Sequence, residues 1–258
     1  IVNEERGGRK VSITYCPLTG SVVGVFGTVE GLETSFGTSG KLLNSNLVMY
    51  DRATSSYWPQ VFGAAITGFR KGVILDEFPV LWTRWEMAKA QFPTAEVLSI
   101  ETGFLRAYGS DPYGSYQEEN TYYDSGEPFF PLTDRDDTLP PKEVIIGIRR
   151  GSTALALLKE TLVEEGVTNL SFDDEPLVAL YDGSLDAVRV YSRMVEGRAL
   201  SFEIRDGEFF DIETGSVWNA LGASVSGELS GSHLERVSSF DVMWFAWYAF
   251  FPETDRYG

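Results

Sequence analysis

Two residue types that often carry chemistry occur once each in this sequence. Cys16 is the only cysteine and His233 is the only histidine. A lone thiolate can bind copper or iron or act as a nucleophile, and a histidine within hydrogen-bond reach would activate it. The alternative is structural: Cys16 is a small buried residue at the end of a strand, and His233 is exposed in a loop. With a single cysteine, no disulfide forms within the chain.

Carboxylates are concentrated in a second region, around residues 124–141. Oxygen ligands of this kind suit calcium, although their spacing is not that of an EF-hand loop. A solvated acidic loop is the alternative. The acidic residues considered as metal ligands are Asp134, Asp136 and Asp137, with Asp124 and Glu127 nearby.

Aromatic residues make up 14% of the chain and must be buried or presented to a ligand. Exposed rings can stack on sugars, which would make the chain a carbohydrate-binding module. The candidates for stacking are Tyr113, Tyr116, Tyr122 and Tyr123. Trp58 and Trp218 are predicted to be core residues. No phosphate loop, dinucleotide fingerprint or Gly-x-Ser-x-Gly elbow is present.

The net charge is −17 and only six residues are lysines. This charge repels nucleic-acid phosphates, so nucleic acid is not an expected partner. Excess carboxylate with little lysine favours a protein working in high salt, where repulsion is screened; a soluble exported protein is the other reading. No run of about 18 apolar residues predicts a transmembrane helix. No signal peptide is found, and because the chain opens at Ile1 an upstream export signal or membrane anchor remains open.

The sequence repeats itself with an offset of 166 residues that falls to 160 and then 159 after two loop deletions. Gaps confined to loops are typical of a duplication, since loops tolerate changes in length. The matches include Asn3 with Asn169, Tyr15 with Tyr181, Asp51 with Asp211, Trp58 with Trp218, and Trp85 with Trp244.

Short apolar stretches separated by glycine turns predict a mainly β (α+β) fold of two tandem diverged repeats, related by a pseudo-twofold axis and each ending in a short helix. The predicted units are residues 1–93, an acidic Tyr- and Pro-rich connector of residues 94–142 packed on the surface, and residues 143–258. Helices are predicted over residues 79–92, 152–165 and 240–251. The strand and helix before Gly166 have no counterpart before Ile1, so the first repeat is expected to lack its opening elements. Another chain could supply them by strand addition.

The last predicted helix is apolar all round, which requires burial on every side. One hypothesis is that this helix is buried between the two repeats. The other docks it on a partner or lipid surface through Phe245, Trp247, Tyr248 and Phe250.

Several ordered motifs resemble the prokaryotic family catalogued as domain of unknown function 3179. They are TYCPLTGS at residues 14–21, NLVMYDR at 46–52, DPYG at 111–114, LPPKE at 139–143, ETGSVWN at 213–219 and WFAW at 244–247. The resemblance implies an exported or lipid-anchored protein with no stated activity. Relatives often carry a second cysteine where this chain has Thr19, so a two-thiolate site is excluded at this position.

Together these features favour a non-enzymatic extracytoplasmic subunit of a cell-surface assembly, associating with other chains or with itself. The alternatives are a metal or redox protein using Cys16 and a carbohydrate-binding module. The subunit hypothesis involves no cofactor. The alternative hypotheses of a metal site would involve copper, iron or calcium.

Overall fold

The computed structural model describes residues 1–116, 118–151 and 153–258. Strands account for 41% and helices for 9% of it, arranged as several small sheets. The prediction of a mainly β fold is therefore confirmed.

The first part of the chain forms a four-stranded sheet, a two-stranded hairpin and a three-stranded sheet, in the orders β1-β2-β3-β9, β4-β5 and β6-β7-β8. Its elements are β1 (Val2–Arg6), β2 (Arg9–Cys16), β3 (Ser21–Phe26), β4 (Thr28–Val29), β5 (Leu32–Glu33), β6 (Phe36–Leu43), β7 (Asn46–Asp51), β8 (Tyr57–Pro59), β9 (Glu77–Phe78) and helix α1 (Trp85–Gln91).

The later part forms four sheets, in the orders β21-β10-β11-β22, β12-β13-β14, β15-β16 and β17-β18-β19-β20. Its elements are β10 (Val144–Arg150), β11 (Thr153–Leu158), α2 (Lys159–Glu165), β12 (Val167–Phe172), β13 (Glu175–Asp182), β14 (Ala187–Ser192), β15 (Met194–Val195), β16 (Arg198–Ala199), β17 (Phe202–Arg205), β18 (Glu208–Asp211), β19 (Val217–Trp218), β20 (Ser224–Ser226), β21 (Phe240–Met243), α3 (Trp244–Phe250) and β22 (Asp255–Tyr257).

All three predicted helices are shorter in the structure. Thr153–Leu158 is a strand paired with β10, and Phe240–Met243 is a strand paired with the other edge of β10. Residues 79–84 are not helical, and residue 152 lies outside the described residues. For the last two helices, helical spacing gave the wrong bounds because a sheet partner, which periodicity cannot reveal, decides the conformation of short apolar segments.

The largest hydrophobic core joins side chains of both parts. Val25, Phe36 and Trp58 belong to the same buried cluster as Trp244 and Trp247 of α3. Residues 94–116 and 118–142 contain no helix or strand. Part of this segment is held against the first sheet by Tyr122, whose hydroxyl donates to the Leu18 carbonyl at 2.6 Å. In the part of the chain that the structure describes, no helix has the length and apolar character needed to cross a membrane.

Candidate binding face around the first helix

The two repeated aspartates are hairpin caps. The Asp51 carboxylate accepts the Thr54 amide at 2.7 Å and the Trp58 indole N–H at 3.1 Å. Asp211 accepts the Thr214 amide at 2.6 Å and the Trp218 indole at 2.9 Å. These buried carboxylates hold turns and position core tryptophans.

Cys16 and His233 do not lie in a common site. Cys16 is buried at the end of β2 beside Leu18 and Tyr122, and its thiol donates weakly to the Ser45 carbonyl at 3.8 Å. His233 is exposed beside Ala223.

The connector carboxylates show local roles. The hydroxyl and the amide of Thr138 both donate hydrogen bonds to Asp136, the amide at 2.7 Å. These two hydrogen bonds lower the pKa of the Asp136 carboxyl group. Asp134 and Asp137 are exposed. Over the described ranges, no group of three or more His, Cys, Asp or Glu side chains is placed to hold a metal ion.

The four tyrosines predicted to stack on a ligand do lie together. Tyr116 stacks on Tyr123 with ring centroids 3.6 Å apart, and Tyr122 contacts Tyr123 at 5.6 Å and Tyr113 at 6.0 Å. Several ring faces are thus occupied by other rings of the cluster, and Tyr122 is buried.

Two further aromatic residues, Tyr15 and Trp82, complete this cluster. The Tyr15 hydroxyl lies 3.4 Å from the hydroxyls of both Tyr116 and Tyr123. Trp82 contacts the rings of Tyr15 and Tyr116, each at 5.5 Å. Trp82 therefore connects the tyrosine cluster to the segment that leads into α1. Tyr15 and Trp82 were not among the predicted site residues, because they are distant in sequence from the connector tyrosines.

The hydroxyl groups of Tyr116 and Tyr123 carry no charge at physiological pH. Burial, reinforced by neighbouring hydroxyls, raises the pKa of Tyr116 and of Tyr123, so both remain neutral at physiological pH. Lys142 lies over the Tyr122 ring at 3.6 Å, and burial lowers the pKa of its ammonium group to about 8. Neutral hydroxyls on aromatic rings form a surface that recognises through contact and hydrogen bonding rather than through charge.

Helix α1 has no buried residue. Its first residue, Trp85, is 60% exposed, and Phe92, immediately after the helix, is also exposed. We call Trp82, Trp85, Phe92, Tyr15 and Tyr116 the α1 face. Trp82 is half-buried, and exposed or half-buried aromatic side chains such as these are typical of interaction surfaces.

Helix α3 is locally similar to α1 but is covered by other parts of the chain. Both helices have seven residues and begin with tryptophan. The preceding residues have nearly equal backbone angles, φ −76° and ψ 141° at Arg84 against φ −71° and ψ 139° at Met243. Trp244, however, is 2% exposed.

The cover of α3 comes from the chain just before and within β10. The Trp244 amide donates to the Glu143 carbonyl and the Phe245 amide to the Pro141 carbonyl, both at 2.8 Å. β10 then pairs with the strand that leads into α3. Residues 79–84 belong to no strand, and the described residues include no acceptor for the amides of Trp85 and Glu86. The α1 face thus lacks the strand pair that covers α3.

The four residues predicted to form an interface on the last helix are buried or half-buried. Phe245 and Trp247 are buried in the core and present no surface to a partner. Tyr248 and Phe250 are half-buried. Phe250 lines a cavity of 740 Å³ together with Phe62, Phe251 and the ion-paired side chains of Glu77 and Arg149.

The family model described as "Protein of unknown function (DUF3179)" matches residues 1–254. No curated protein and no solved structure matches the chain. The match covers nearly the whole sequence, and the chain belongs to this family.

Proposed function

We propose that this DUF3179 protein is a non-enzymatic, extracytoplasmic subunit that binds another protein at its α1 face. The occupant we propose is a pair of β-strands from the partner, added beside residues 80–84 and over α1. The observation that carries the proposal is the contrast between α1 and α3. The same local backbone is buried under β10 and β11 in one case and exposed in the other.

The residue types on the α1 face support a protein partner. Tryptophan and tyrosine dominate the energetics of protein interfaces because they bury a large area at a small cost in conformational entropy. Trp82 and Trp85 flank Thr83 and Arg84, whose amides have no backbone acceptor among the described residues, and unpaired amides of this kind are used in strand addition.

The proposal draws on a second inference, that the two parts are a tandem duplication related by a pseudo-twofold axis. Equivalent hydrogen bonds support it. The Asn3 side chain accepts the Phe36 amide at 2.9 Å, and Asn169, 166 residues later, accepts the Phe202 amide at 2.8 Å.

Contacts between the two parts also occur in reciprocal pairs. Arg84, before α1, lies 3.6 Å from Asp186 in the turn between β13 and β14. Met243, before α3, lies against Gly20 in the turn between β2 and β3. At the offsets found in the sequence, Arg84 corresponds to Met243 and Gly20 to Asp186, so each part meets the other through the same two positions.

The support for an extracytoplasmic location comes from the composition alone. A charge of −17 keeps a protein hydrated and dispersed in a salty medium, where repulsion is screened. It also favours a partner whose docking strands are neutral or basic.

The test uses the complete chain with a photoreactive side chain at position 89, an exposed position on α1, in the cells that produce it. A second version carries an extra copy of residues 143–166 placed directly before Ile1, which is the segment that covers α3. We expect a crosslink of one defined mass from position 89, and its loss in the grafted chain because the graft occupies the α1 face.

Two controls accompany this experiment. A grafted copy carrying Ile145→Asp, a residue buried in the core with α3, should fail to cover the face and restore the crosslink. A photoreactive group at Lys71, an exposed turn residue, should not give the adduct. Equal crosslinking from the grafted and ungrafted chains would contradict the proposal.

A shallow cleft beside the tyrosine cluster favours carbohydrate binding as a second candidate. It has a volume of 440 Å³ and is lined by Tyr15, Tyr108, Asp111 and Tyr113. Tyrosine rings with a nearby carboxylate are suited to stack on a sugar and accept its hydroxyls. A glycan array is expected to show hits that Tyr113→Ala removes, and an array without hits counts against this candidate.

A further inference from the structure

In the later part of the chain, the buried Arg189 and the half-buried Arg236 each have one buried side-chain nitrogen without a hydrogen-bond partner. Arg189 on β14 is 1% exposed and donates to Asp182 at 2.6 Å and to the Ala220 carbonyl at 3.3 Å, both through Nη1. Its Nη2 is buried and has no hydrogen-bond partner in the described structure. One side of this guanidinium is satisfied and the other is not.

Arg236 lies beside this group. Its backbone bridges to Tyr191 across an antiparallel pair, which places the Arg236 and Tyr191 side chains on the same face of the sheet. Arg236 Nε is buried without a partner. Burial, together with the charge of Arg189, lowers the pKa of its guanidinium, although an arginine remains charged.

The neighbouring polar groups do not neutralise this second charge. Asp182 is already engaged by Arg189 and by the amide and hydroxyl of Ser184. The Tyr191 hydroxyl donates to the Ala220 carbonyl at 2.9 Å and is neutral. The group therefore holds two positive charges and one negative charge, with two buried N–H donors unused.

A buried donor without an acceptor is unfavourable, and a second positive charge beside a partly buried guanidinium adds to the cost. Protein interiors avoid both, so an acceptor with negative charge is the natural complement. Since the two free donors are buried nitrogens of different side chains, a small monovalent anion suits the position better than a bulky one.

We propose that a small monovalent anion, chloride in a salty medium, binds between Arg189 Nη2 and Arg236 Nε beside Tyr191. The anion completes the charge balance of the group and stabilises the later part of the fold. This inference is independent of the α1 face.

Thermal unfolding of the full chain in sodium chloride and in sodium gluconate at equal concentrations tests the proposal. Both salts screen the net charge alike, so any difference between them isolates specific anion binding. Above its dissociation constant, each tenfold increase in chloride should multiply the folding equilibrium constant by about ten. Bromide should behave like chloride.

The informative variant is Arg236→Leu, which removes the unpaired cation. We expect its chloride and gluconate curves to coincide, and its melting temperature at low chloride to exceed that of the parent chain. Arg198→Leu is the matched control, because Arg198 is exposed and paired with Glu228 at 3.1 Å, and it should keep the chloride effect.

A direct measurement covers the case in which Arg236→Leu fails to fold. Crystals of the parent chain soaked in bromide should show an anomalous peak between the two guanidinium groups. Absence of that peak, equal stabilisation by both salts, or a chloride effect retained in Arg236→Leu would overturn the proposal.

Discussion

Asp51 and Asp211 accept matching hydrogen bonds from a threonine and a tryptophan, yet their surroundings differ by one charge. The Arg70 guanidinium, itself buried, lies 4.0 Å from Asp51. The residue at the corresponding position near Asp211 is Leu229, whose amide donates to Ser216 as that of Arg70 donates to Ser56. Asp51 is therefore half of a buried ion pair, and Asp211 is held by neutral donors.

This difference predicts unequal costs for the same substitution. Asp51→Asn leaves Arg70 buried without a counter-charge, which should lower the free energy of unfolding by about 3–5 kcal/mol. Asp211→Asn loses only charge-assisted hydrogen bonds, at about 1–3 kcal/mol. Urea unfolding of both variants measures the difference; equal losses would show that Arg70 does not depend on Asp51.

The pH dependence of this comparison follows from the pKa of Asp51. Burial opposes its ionisation, but hydrogen bonds from Thr54 and Trp58 outweigh burial and hold its pKa below the ordinary 3.8. The unfolded state thus binds more protons between the two values, so the stabilisation is complete above pH 3.8 and is lost as pH falls through the folded value. The difference in the free energy of unfolding between the parent chain and Asp51→Asn should therefore disappear at acid pH.

Local sequence accounts for these hairpins, because an aspartate bonds the turn backbone in both and Gly215 supplies positive φ in the second. It did not predict the joining of Tyr15 to Tyr116, since these residues are 101 positions apart. The Arg189 and Arg236 pairing was missed for the same reason. Contacts of this range depend on which strands become neighbours, and no short pattern records that.

At the scale of elements, the two helices that begin with tryptophan show how context decides burial. Their existence and approximate position were predictable from apolar spacing. Their bounds were not, because β21 takes the first part of the predicted last helix as a partner of β10. The apolar residues all round the last helix predicted its burial, but spacing did not predict that Trp85 of α1 is exposed.

Matched substitutions in these helices give a direct test of burial. Trp244→Ala removes a fully packed ring and should cost about 3–5 kcal/mol in the free energy of unfolding. Trp85→Ala removes an exposed ring and should change it by less than about 0.5 kcal/mol. Chemical denaturation followed by circular dichroism compares them; a large loss for Trp85→Ala would mean that α1 is packed after all.

At the scale of the molecule, the largest core combines side chains of both parts, so the two are expected to unfold together. The mainly β class and the family were accessible from composition and ordered motifs. The uncovered α1 face was accessible only in part. The offset aligned α1 with α3, and the structure adds that no described segment covers α1 as β10 and β11 cover α3.

Hydrogen exchange measured by mass spectrometry tests the central claim, that α1 is an open face which accepts a strand pair. In the parent chain, amides of residues 85–91 should exchange much faster than those of residues 244–250, because solvent-exposed helices open locally at low cost. In the chain with residues 143–166 grafted before Ile1, residues 81–91 should become protected. An α1 already as protected as α3, or exchange unchanged by the graft, would contradict the account.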